Sequence, residues 1–347
     1  MSELIKDIRK ESSDSLKKWL ESRGHAGFRA KQIQEWIWAK GVSSFDEMSN
    51  LPKELRNDLN NYFQFRNAII AVKKESKDRT IKVAFRLHDS NLVEGVLIPS
   101  GNRMTACVSS QVGCSLNCKF CATGYMKRAR NLDAAEIVDQ VRLLGKLAEE
   151  HYGYGLSNIV YMGMGEPMLN YSEVMESISK ITDPACLGIS PQRITISTAG
   201  IVKMIYKLAD DNPGVHLALS LHAATNESRS ALMPINEHNN LDMLADAMKY
   251  FYQKTGKRPT LEYTVMDSIN DREQELLSLA SYAKRFPCKI NLIEYNPISF
   301  ADYMPAVRNH IDLFAARLSA YGLIVNVRRS RGKDIDAACG QLVLKSE

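Results

Sequence analysis

Short apolar runs that alternate with amphipathic helical segments restrict the fold of this chain more than any other feature. The runs begin near Met104 and recur toward the end of the 347-residue chain. Predicted strands cover 104–109, 158–162, 194–197, 215–221, 260–265, 289–293 and 324–327, and residues 134–150 and 273–285 have helical periodicity. Strands that alternate with helices form parallel sheets, because each helix carries the chain back across the sheet. The sequence therefore predicts the α/β class, with a partial or full (β/α) barrel.

Two smaller regions precede this alternation. Near the amino terminus the period is helical, with Leu16, Trp19 and Leu20 on one helix face, and we expect Trp19, Trp36 and Trp38 to fill a small core. Near residue 69 the period changes to two, which is typical of a hairpin or meander. The sequence thus predicts three domains: a small helical domain at 1–66, a β-hairpin or meander linker at 67–100 and an α/β domain at 101–347.

Three cysteines at a C-x3-C-x2-C spacing point to an iron–sulfur cofactor: Cys114, Cys118 and Cys121. Thiolates at this pitch can bind three irons of a four-iron cluster and leave the fourth iron free to chelate a small molecule. A structural zinc ion is the alternative, and it would need a distant fourth ligand such as Cys107 or Cys339. The odd total of seven cysteines favours metal or catalytic use over a disulfide framework.

Polar residues follow the predicted strands, at the positions where a parallel barrel carries its chemistry. The second strand leads into a turn at 163–167 that contains Gly165 and Glu166. The backbone edge and the carboxylate of this turn could bind a cationic amino group of the chelated molecule. We expect His222 to line the same pocket without acting as an acid or base. The other candidates at strand ends are Ser197, Ser220, Leu221 and Asn296.

Two further cysteines stand where they could take part in the chemistry. Small residues flank Cys339 near the chain end, which predicts an accessible and mobile thiol. Cys107 precedes the cysteine triplet on the strand that leads into it. The two thiols could form a redox or relay pair. The alternative is that each is a small buried hydrophobe, which is what we expect of Cys186 and Cys288.

Basic residues form two runs beside these segments, in a chain whose net charge is +5. The runs comprise Lys127, Arg128 and Arg130 after the triplet, and Arg328, Arg329, Arg331 and Lys333 before Cys339. Lysine and arginine next to a site attract a polyanion such as a nucleic-acid backbone, although such runs also occur as solvated faces. Lys333 and the arginines could in addition favour the thiolate of Cys339.

Taken together, these motifs resemble the RlmN/Cfr family of radical S-adenosylmethionine (SAM) adenosine methyltransferases. The resemblance extends to the segments 28–33 and 45–48, so it covers nearly the whole chain. It rests on Cys107 with the cysteine triplet, on Gly163-Met164-Gly165-Glu166-Pro167, on Ser220-Leu221-His222-Ala223 and on Asp334-Ile335-Asp336-Ala337-Ala338-Cys339-Gly340-Gln341. Pro167 and Val112 look like the branch that methylates C2 of adenine. A C8-directed relative is the second hypothesis, and a non-catalytic iron–sulfur or zinc RNA-binding protein is the third.

The resemblance implies the following cofactors and partners. The enzyme would use a [4Fe–4S] cluster and two SAM molecules per turnover to methylate adenosine 2503 of 23S rRNA and adenosine 37 of tRNA. The N-terminal domain would contact the RNA. An external electron donor and a disulfide reductant would complete the cycle, and the enzyme would be a monomer.

The resemblance also implies a role for each site residue. Cys339 would carry the methyl group, Cys107 would resolve the intermediate and Glu94 would accept a proton. By its strand pattern alone, Glu94 is predicted to be exposed. Cys114, Cys118 and Cys121 would hold the cluster. SAM would be bound by Gly165, Glu166, Ser197, Ser220, Leu221, His222 and Asn296.

Hydropathy predicts a cytoplasmic protein. No apolar run approaches the ~20 residues that span a membrane. The opening residues Met1-Ser2-Glu3-Leu4-Ile5-Lys6 also lack the apolar core of a signal peptide.

Overall fold

The protein is described here by a computed structural model covering residues 6–343. Residues 1–5, which carry most of the segment predicted to lack a signal peptide, lie outside that range. Among the helices in the described part of the chain, none is both long and apolar enough to cross a membrane.

The amino-terminal region is helical, as predicted. Its elements are β1 (Lys6–Asp7), α1 (Ser13–Ser22), α2 (Arg29–Glu35), α3 (Lys53–Tyr62) and β2 (Phe63–Gln64). The Ser12 hydroxyl accepts a hydrogen bond from the Ser15 amide and so caps α1. Leu16 and Leu20 are fully buried on one face of α1. Trp38 is buried, and Trp19 and Trp36 pack against the core, so the core-filling prediction is confirmed.

A ten-stranded sheet forms the rest of the fold. Its first four strands are antiparallel neighbours: β3 (Ile69–Glu75), β4 (Ile81–Arg86), β5 (Leu92–Ser100) and β6 (Arg103–Cys107). A two-stranded ribbon, β7 (Gln111–Val112) with β8 (Arg130–Asn131), closes the cysteine loop that follows β6. The meander strands therefore belong to the main sheet, and the three domain boundaries stay a prediction.

From β6 onward the sheet is parallel, because a helix separates each strand from the next. The strands are β9 (Asn158–Tyr161), β10 (Ile194–Thr198), β11 (His216–Ser220), β12 (Thr260–Val265), β13 (Lys289–Glu294) and β14 (Val325–Arg328). The helices are α4 (Ala134–Tyr152), α5 (Tyr171–Thr182), α6 (Val202–Asp211), α7 (Asn226–Leu232), α8 (Leu241–Thr255), α9 (Glu273–Ala283) and α10 (Arg308–Ala320).

The sheet is open, with β14 and β3 at its two edges. Of the two predicted forms of the barrel, the described residues form the partial one. All seven strands predicted from the apolar runs are present in the sheet. Since the parallel strands run in one direction, their carboxyl ends meet along a single edge, and the loops that carry the candidate residues gather there.

A buried ion pair joins the amino-terminal region to the sheet through α4. The Arg9 guanidinium contacts the carboxylates of Asp7 and Asp139, each at 2.8 Å, and its side chain is only 4% exposed. The same Asp139 carboxylate accepts a hydrogen bond from the Ala68 amide. The helical region is therefore held against the scaffold by charge as well as by packing.

Replacing Arg9 with alanine should lower the free energy of unfolding by about 3–5 kcal/mol, because two buried carboxylates lose their counter-charge. Denaturant unfolding of the purified protein measures this change. The matched control is Lys17→Ala, which breaks an exposed pair with Glu21 and should cost less than about 0.5 kcal/mol. Equal losses for both variants would show that Arg9 does not hold the helical region in place.

Candidate active site

One cavity opens at the carboxyl ends of the parallel strands and collects most of the predicted site residues. Cys107, Glu94, Leu221 and Asn296 do not line it. The predicted residues that do line it are Cys114, Cys118, Cys121, Gly165, Glu166, Ser197, Ser220, His222 and Cys339. Residues from loops more than 200 positions apart in the sequence thus share one chamber.

Backbone hydrogen bonds shape the cysteine loop. The Cys121 amide donates to the Cys118 carbonyl at 3.2 Å, and the Gly124 amide donates to the Cys121 carbonyl at 2.9 Å. Burial raises the pKa of all three thiols, that of Cys114 to about 11. Protein groups alone therefore keep the thiols protonated, and bound metal would stabilise the thiolates.

The arrangement of the three thiols fits a polynuclear cluster better than a single ion. Within residues 6–343, no group of three or more histidine, cysteine, aspartate or glutamate side chains could hold one metal ion. A zinc site that includes Cys107 or Cys339 therefore has no support. In a four-iron cluster each cysteine binds a different iron, so the thiols need only face one chamber, as they do here.

The turn after β9 depends on glycine. Gly165 has a φ of +93°, and a Cβ there would lie 2.5 Å from the Cβ of Gln111. The close approach lets the Glu166 amide donate to the Gln111 side-chain carbonyl at 2.9 Å. A side chain at position 165 would separate these two loops.

Glu166 is a buried carboxylate without a cationic partner among the described residues. One oxygen accepts a hydrogen bond from the Met168 amide at 3.0 Å and the other from the Ala199 amide at 2.7 Å. Burial raises the pKa of Glu166 to about 7 despite these bonds. Carboxylate oxygens can accept further hydrogen bonds, so the site fits a ligand that carries a positive charge, such as the ammonium group of SAM.

His222 is a neutral lining residue, in agreement with the sequence-based expectation. Its Nδ1 accepts a hydrogen bond from the Thr264 amide at 3.1 Å, so the ring proton is on Nε2. Burial, and then the nearby Arg229, lower the pKa of His222 to about 3. The imidazole therefore stays uncharged at neutral pH and can donate one hydrogen bond to a ligand. The Ser197 and Ser220 hydroxyls lie 3.4 Å apart on neighbouring strands.

Cys339 is exposed and lines the cavity, as the small flanking residues predicted. Hydrogen bonds hold the segment on both sides of the thiol, and its mobility stays a prediction. The bonds are Asn296 Nδ2 to the Cys339 carbonyl (3.3 Å), the Ala122 amide to the Gly340 carbonyl (2.7 Å) and Gln341 Nε2 to the Pro297 carbonyl (3.1 Å). Two of the three partners belong to the loop after β13, and Ala122 belongs to the cysteine loop.

Arg328 is the cation that acts on both Cys339 and Cys107. It lines the cavity and pairs with the buried Glu262 at 3.4 Å. Burial raises the pKa of the Cys107 thiol to about 12. Enclosure of the Cys339 thiol within the cavity raises its pKa as well, although the residue as a whole is exposed, and Arg328 opposes both shifts. Lys333, which the sequence placed beside the thiol, pairs instead with Glu294 at 2.7 Å.

The prediction from the strand pattern that Glu94 is exposed is wrong. Glu94 is only 5% exposed, because the carboxyl-terminal segment covers that face of β5. Its carboxylate pairs with Lys82 at 3.0 Å and accepts a hydrogen bond from the Val343 amide at 3.0 Å. Burial raises the pKa of Glu94, and Lys82 opposes the shift. Glu94 therefore lies beside the segment that carries Cys339.

Ion pairs neutralise much of the two basic runs. Arg130 binds Asp89 and Glu136, and Arg329 binds Glu294 and Asp312. Lys127 and Arg128 differ, because they line an open cleft next to the cavity that also includes Tyr125 and Cys114. The first run therefore offers Lys127 and Arg128 at the edge of the site, whereas Arg328 of the second run lines the cavity itself and is paired with Glu262.

The fold and the site define a radical SAM enzyme, which uses a [4Fe–4S] cluster and SAM. A family model described as the Radical SAM superfamily matches residues 108–280. A second, described as the ribosomal RNA large subunit methyltransferase N-terminal domain, matches residues 6–64. The crystal structure of a radical SAM methyltransferase from Sphaerobacter thermophilus is similar, with a TM-score of 0.91 and 38% sequence identity over 97% of this chain and 99% of that one.

Relatives of known family are similar along nearly the whole chain. A protein of Cytophaga hutchinsonii named "Probable dual-specificity RNA methyltransferase RlmN" is 53% identical over 98% of this chain and 93% of its own length. A protein of Christiangramia forsetii with the same name is 49% identical over 98% of this chain and 97% of its own length. The chain therefore belongs to the RlmN family of radical SAM RNA methyltransferases.

Proposed function

We propose that this enzyme methylates C2 of adenosine in RNA, at adenosine 2503 of 23S rRNA and adenosine 37 of tRNA, through a methyl group carried on Cys339. The observation that carries the proposal is that Cys339 lines the same cavity as the three cluster cysteines. The relatives named as dual-specificity RNA methyltransferases support two RNA substrates. Ribosomal RNA and tRNA would place the reaction in the cytoplasm.

The chemistry of the target carbon explains why a carrier thiol is needed. C2 of adenine is an electrophilic amidine carbon without a nucleophilic lone pair, so displacement of a methyl group from a sulfonium by this carbon should fail. When bound, the cluster and SAM supply single electrons and a 5′-deoxyadenosyl radical. A thiolate, by contrast, is a good nucleophile, and the exposed Cys339 can accept a methyl group from SAM by displacement.

Three residues of the protein, Cys339, Glu94 and Cys107, carry out the remaining steps. Loss of a hydrogen atom from the methyl on Cys339 leaves a carbon radical that adds to C2 and joins protein to RNA. Glu94 accepts the C2 proton, as its raised pKa favours. The adduct must also lose its unpaired electron, which the bound cluster would take back. The Cys107 thiolate then attacks the Cys339 sulfur, the bond from sulfur to the transferred carbon breaks with its electron pair left on that carbon, the carbon takes up a proton to become the methyl group, and a disulfide forms. An external reductant must restore both thiols, and an external donor must supply electrons to the cluster.

Product analysis tests the proposal directly. Enzyme reconstituted without oxygen is incubated with SAM, a reductant and unmethylated 23S rRNA or tRNA, and the digested RNA is analysed by mass spectrometry. We expect 2-methyladenosine. Appearance of 8-methyladenosine would assign the C8-directed alternative. Colourless protein that forms no 5′-deoxyadenosine would assign a non-catalytic role.

An exposed aromatic pair beside the cavity is suited to hold an RNA base. The rings of Tyr125 and Phe300 stack at 5.2 Å with an interplanar angle of 19°, and each residue is 47% exposed. Tyr125 borders the cleft that contains Lys127 and Arg128. Aromatic faces stack on unpaired bases, and cations next to them contact phosphates. An adenosine unstacked from folded RNA would pass this surface on its way to the cavity.

Phe300→Ala should weaken RNA binding by roughly 5- to 150-fold, since stacking on one base contributes about 1–3 kcal/mol. RNA binding at fixed salt concentration measures the change. Tyr154→Ala is the matched control, because Tyr154 is also exposed (40%) but precedes β9, at the opposite end of the strands. If both variants bind RNA like the unmodified enzyme, the aromatic pair is not an RNA contact.

A further inference from the structure

Arg229 is a buried cation that the proposed reaction does not use. It lies on α7 and is completely buried. Its guanidinium donates four hydrogen bonds, all to neutral oxygens: the carbonyls of Leu221 (3.2 Å), Ala199 (2.6 Å) and Ser220 (3.3 Å), and Asn236 Oδ1 (3.0 Å). In the part of the chain that the structure describes, no carboxylate forms an ion pair with it.

A charge buried among neutral groups is costly unless a counter-charge is present. The acceptors of Arg229 satisfy its N–H groups but do not neutralise it. Burial lowers its pKa only to about 10, so the guanidinium remains charged at neutral pH. The protein therefore maintains a positive charge in its interior, and the compensating negative charge must come from a neighbour.

Two neighbours raise the pKa of Arg229 against the effect of burial: Tyr282, and Cys118 in the cysteine loop. The Lys119 amide, between two of the cluster cysteines, donates to the Leu232 carbonyl at the end of α7 at 3.0 Å. Leu232 also belongs to the small apolar cluster that includes Phe120, Cys118 and Cys121. Burial and the two neighbouring cysteines raise the pKa of the Cys118 thiol, and the positive charge of Arg229 opposes that shift. The helix that carries Arg229 therefore packs against the loop that carries the candidate cluster cysteines.

We propose that Arg229 is a positioning residue that compensates the negative charge of the thiolate-bound cluster and so makes the cluster easier to reduce. One added electron increases the negative charge of the cluster, and a fixed positive charge nearby favours the reduced form. The same guanidinium fixes the carbonyls that end β10 and β11, so charge and pocket geometry depend on one side chain. The proposal rests on the binding of a [4Fe–4S] cluster by this enzyme, as in its family, and it does not depend on which RNA carbon is methylated.

Two substitutions separate charge from hydrogen bonding. Arg229→Gln removes the charge and keeps a polar side chain. Arg229→Lys keeps the charge but removes the planar set of N–H donors of the guanidinium. Each variant is reconstituted with iron and sulfide, and its cluster is titrated by redox potentiometry followed by electron paramagnetic resonance. Iron and sulfide content is measured in parallel.

We expect the Gln variant to need a stronger reductant, with a reduced-to-oxidised ratio at least tenfold lower at a fixed potential, which is ~59 mV for one electron. The Lys variant should keep a potential close to that of the unmodified enzyme. A fully loaded Gln variant with an unchanged potential would overturn the proposal.

The Lys variant decides the matter if the Gln variant fails to load a cluster. A cluster with an unchanged potential in the Lys variant supports the role of charge. A potential shifted so far that the reduced-to-oxidised ratio falls tenfold, or a lost cluster, assigns Arg229 a purely structural role. The potential is measured without RNA. Failure here is therefore distinguishable from failure of the RNA product assay.

Discussion

Cys339→Ala should abolish methylation of RNA and leave cluster assembly intact. The expected loss is on the order of 10⁴-fold or more, because no other group can take over from a missing nucleophile. Cys339 is exposed to the cavity and held by bonds through its own carbonyl and that of Gly340. These backbone bonds do not involve the thiol, so the substitution should preserve the loop. Radioactive methyl transfer to protein and to RNA, measured separately, tests both halves of the prediction.

Two of the cysteines outside the cavity provide the control for this experiment. Cys186 and Cys288 are partly buried, pack against the core and do not line the site. Alanine at either position should keep methyl transfer near the level of the unmodified enzyme, with normal iron content. Residual RNA methylation by Cys339→Ala above about a hundredth of the normal rate would show that the methyl group reaches RNA without this thiol.

The parts of the fold that the sequence predicted are those set by local pattern. The parallel strands were predictable because apolar runs bounded by turns identify a buried strand regardless of its neighbours. The turn at 163–167 was predictable from local pattern too, since glycines and proline after a strand favour a tight turn; the approach of Gln111 to Gly165 became apparent only in the structure. The three candidate cluster cysteines share one short loop, so their spacing alone indicated the cofactor.

The parts that could not be predicted depend on contacts between distant segments. Glu94 resembles an exposed strand residue until Val343, 249 positions later, covers it. Arg229 resembles the solvated charge of any short helix, and its burial depends on carbonyls from the ends of two different strands. Lys333 looks like an activator of Cys339, but Glu294 binds it. Periodicity describes which face of an element is apolar, and it does not reveal which segment packs on that face.

The position of Cys107 explains why it can act late and not early in the reaction. Cys107 ends β6, pairs in register with Val160 of β9 and is 7% exposed. It does not line the cavity, whereas Cys339 does. Burial raises the pKa of its thiol to about 12, so the thiol is protonated at neutral pH and has to lose its proton before it can attack. It is nonetheless close enough to Cys339 for the two thiols to interact electrostatically, which suits attack on the sulfur of Cys339.

Cys107→Ala should therefore load a methyl group on Cys339 normally and then stop after a single event, with RNA covalently attached to the protein. Denaturing gel electrophoresis should show one slowly migrating species that disappears on RNase treatment, and mass spectrometry should locate the link at Cys339. Release of free methylated RNA should fall by at least about 10³-fold. Cys107→Ser, which preserves the side-chain volume, should behave in the same way, because a hydroxyl cannot form the disulfide that releases the product.

Two comparisons make this result decisive. Cys186→Ala should release product and accumulate no adduct, which excludes a general effect of cysteine loss. The double variant Cys107→Ala, Cys339→Ala should form no adduct, because the carrier itself is missing. Repeated turnover by Cys107→Ala would contradict the resolving role. The buried thiol at the end of β6 would then serve only in core packing. Because Cys107 lies outside the cavity, its loss can block product release without disturbing the earlier methylation of Cys339, and that separation distinguishes a relay from a second methyl carrier.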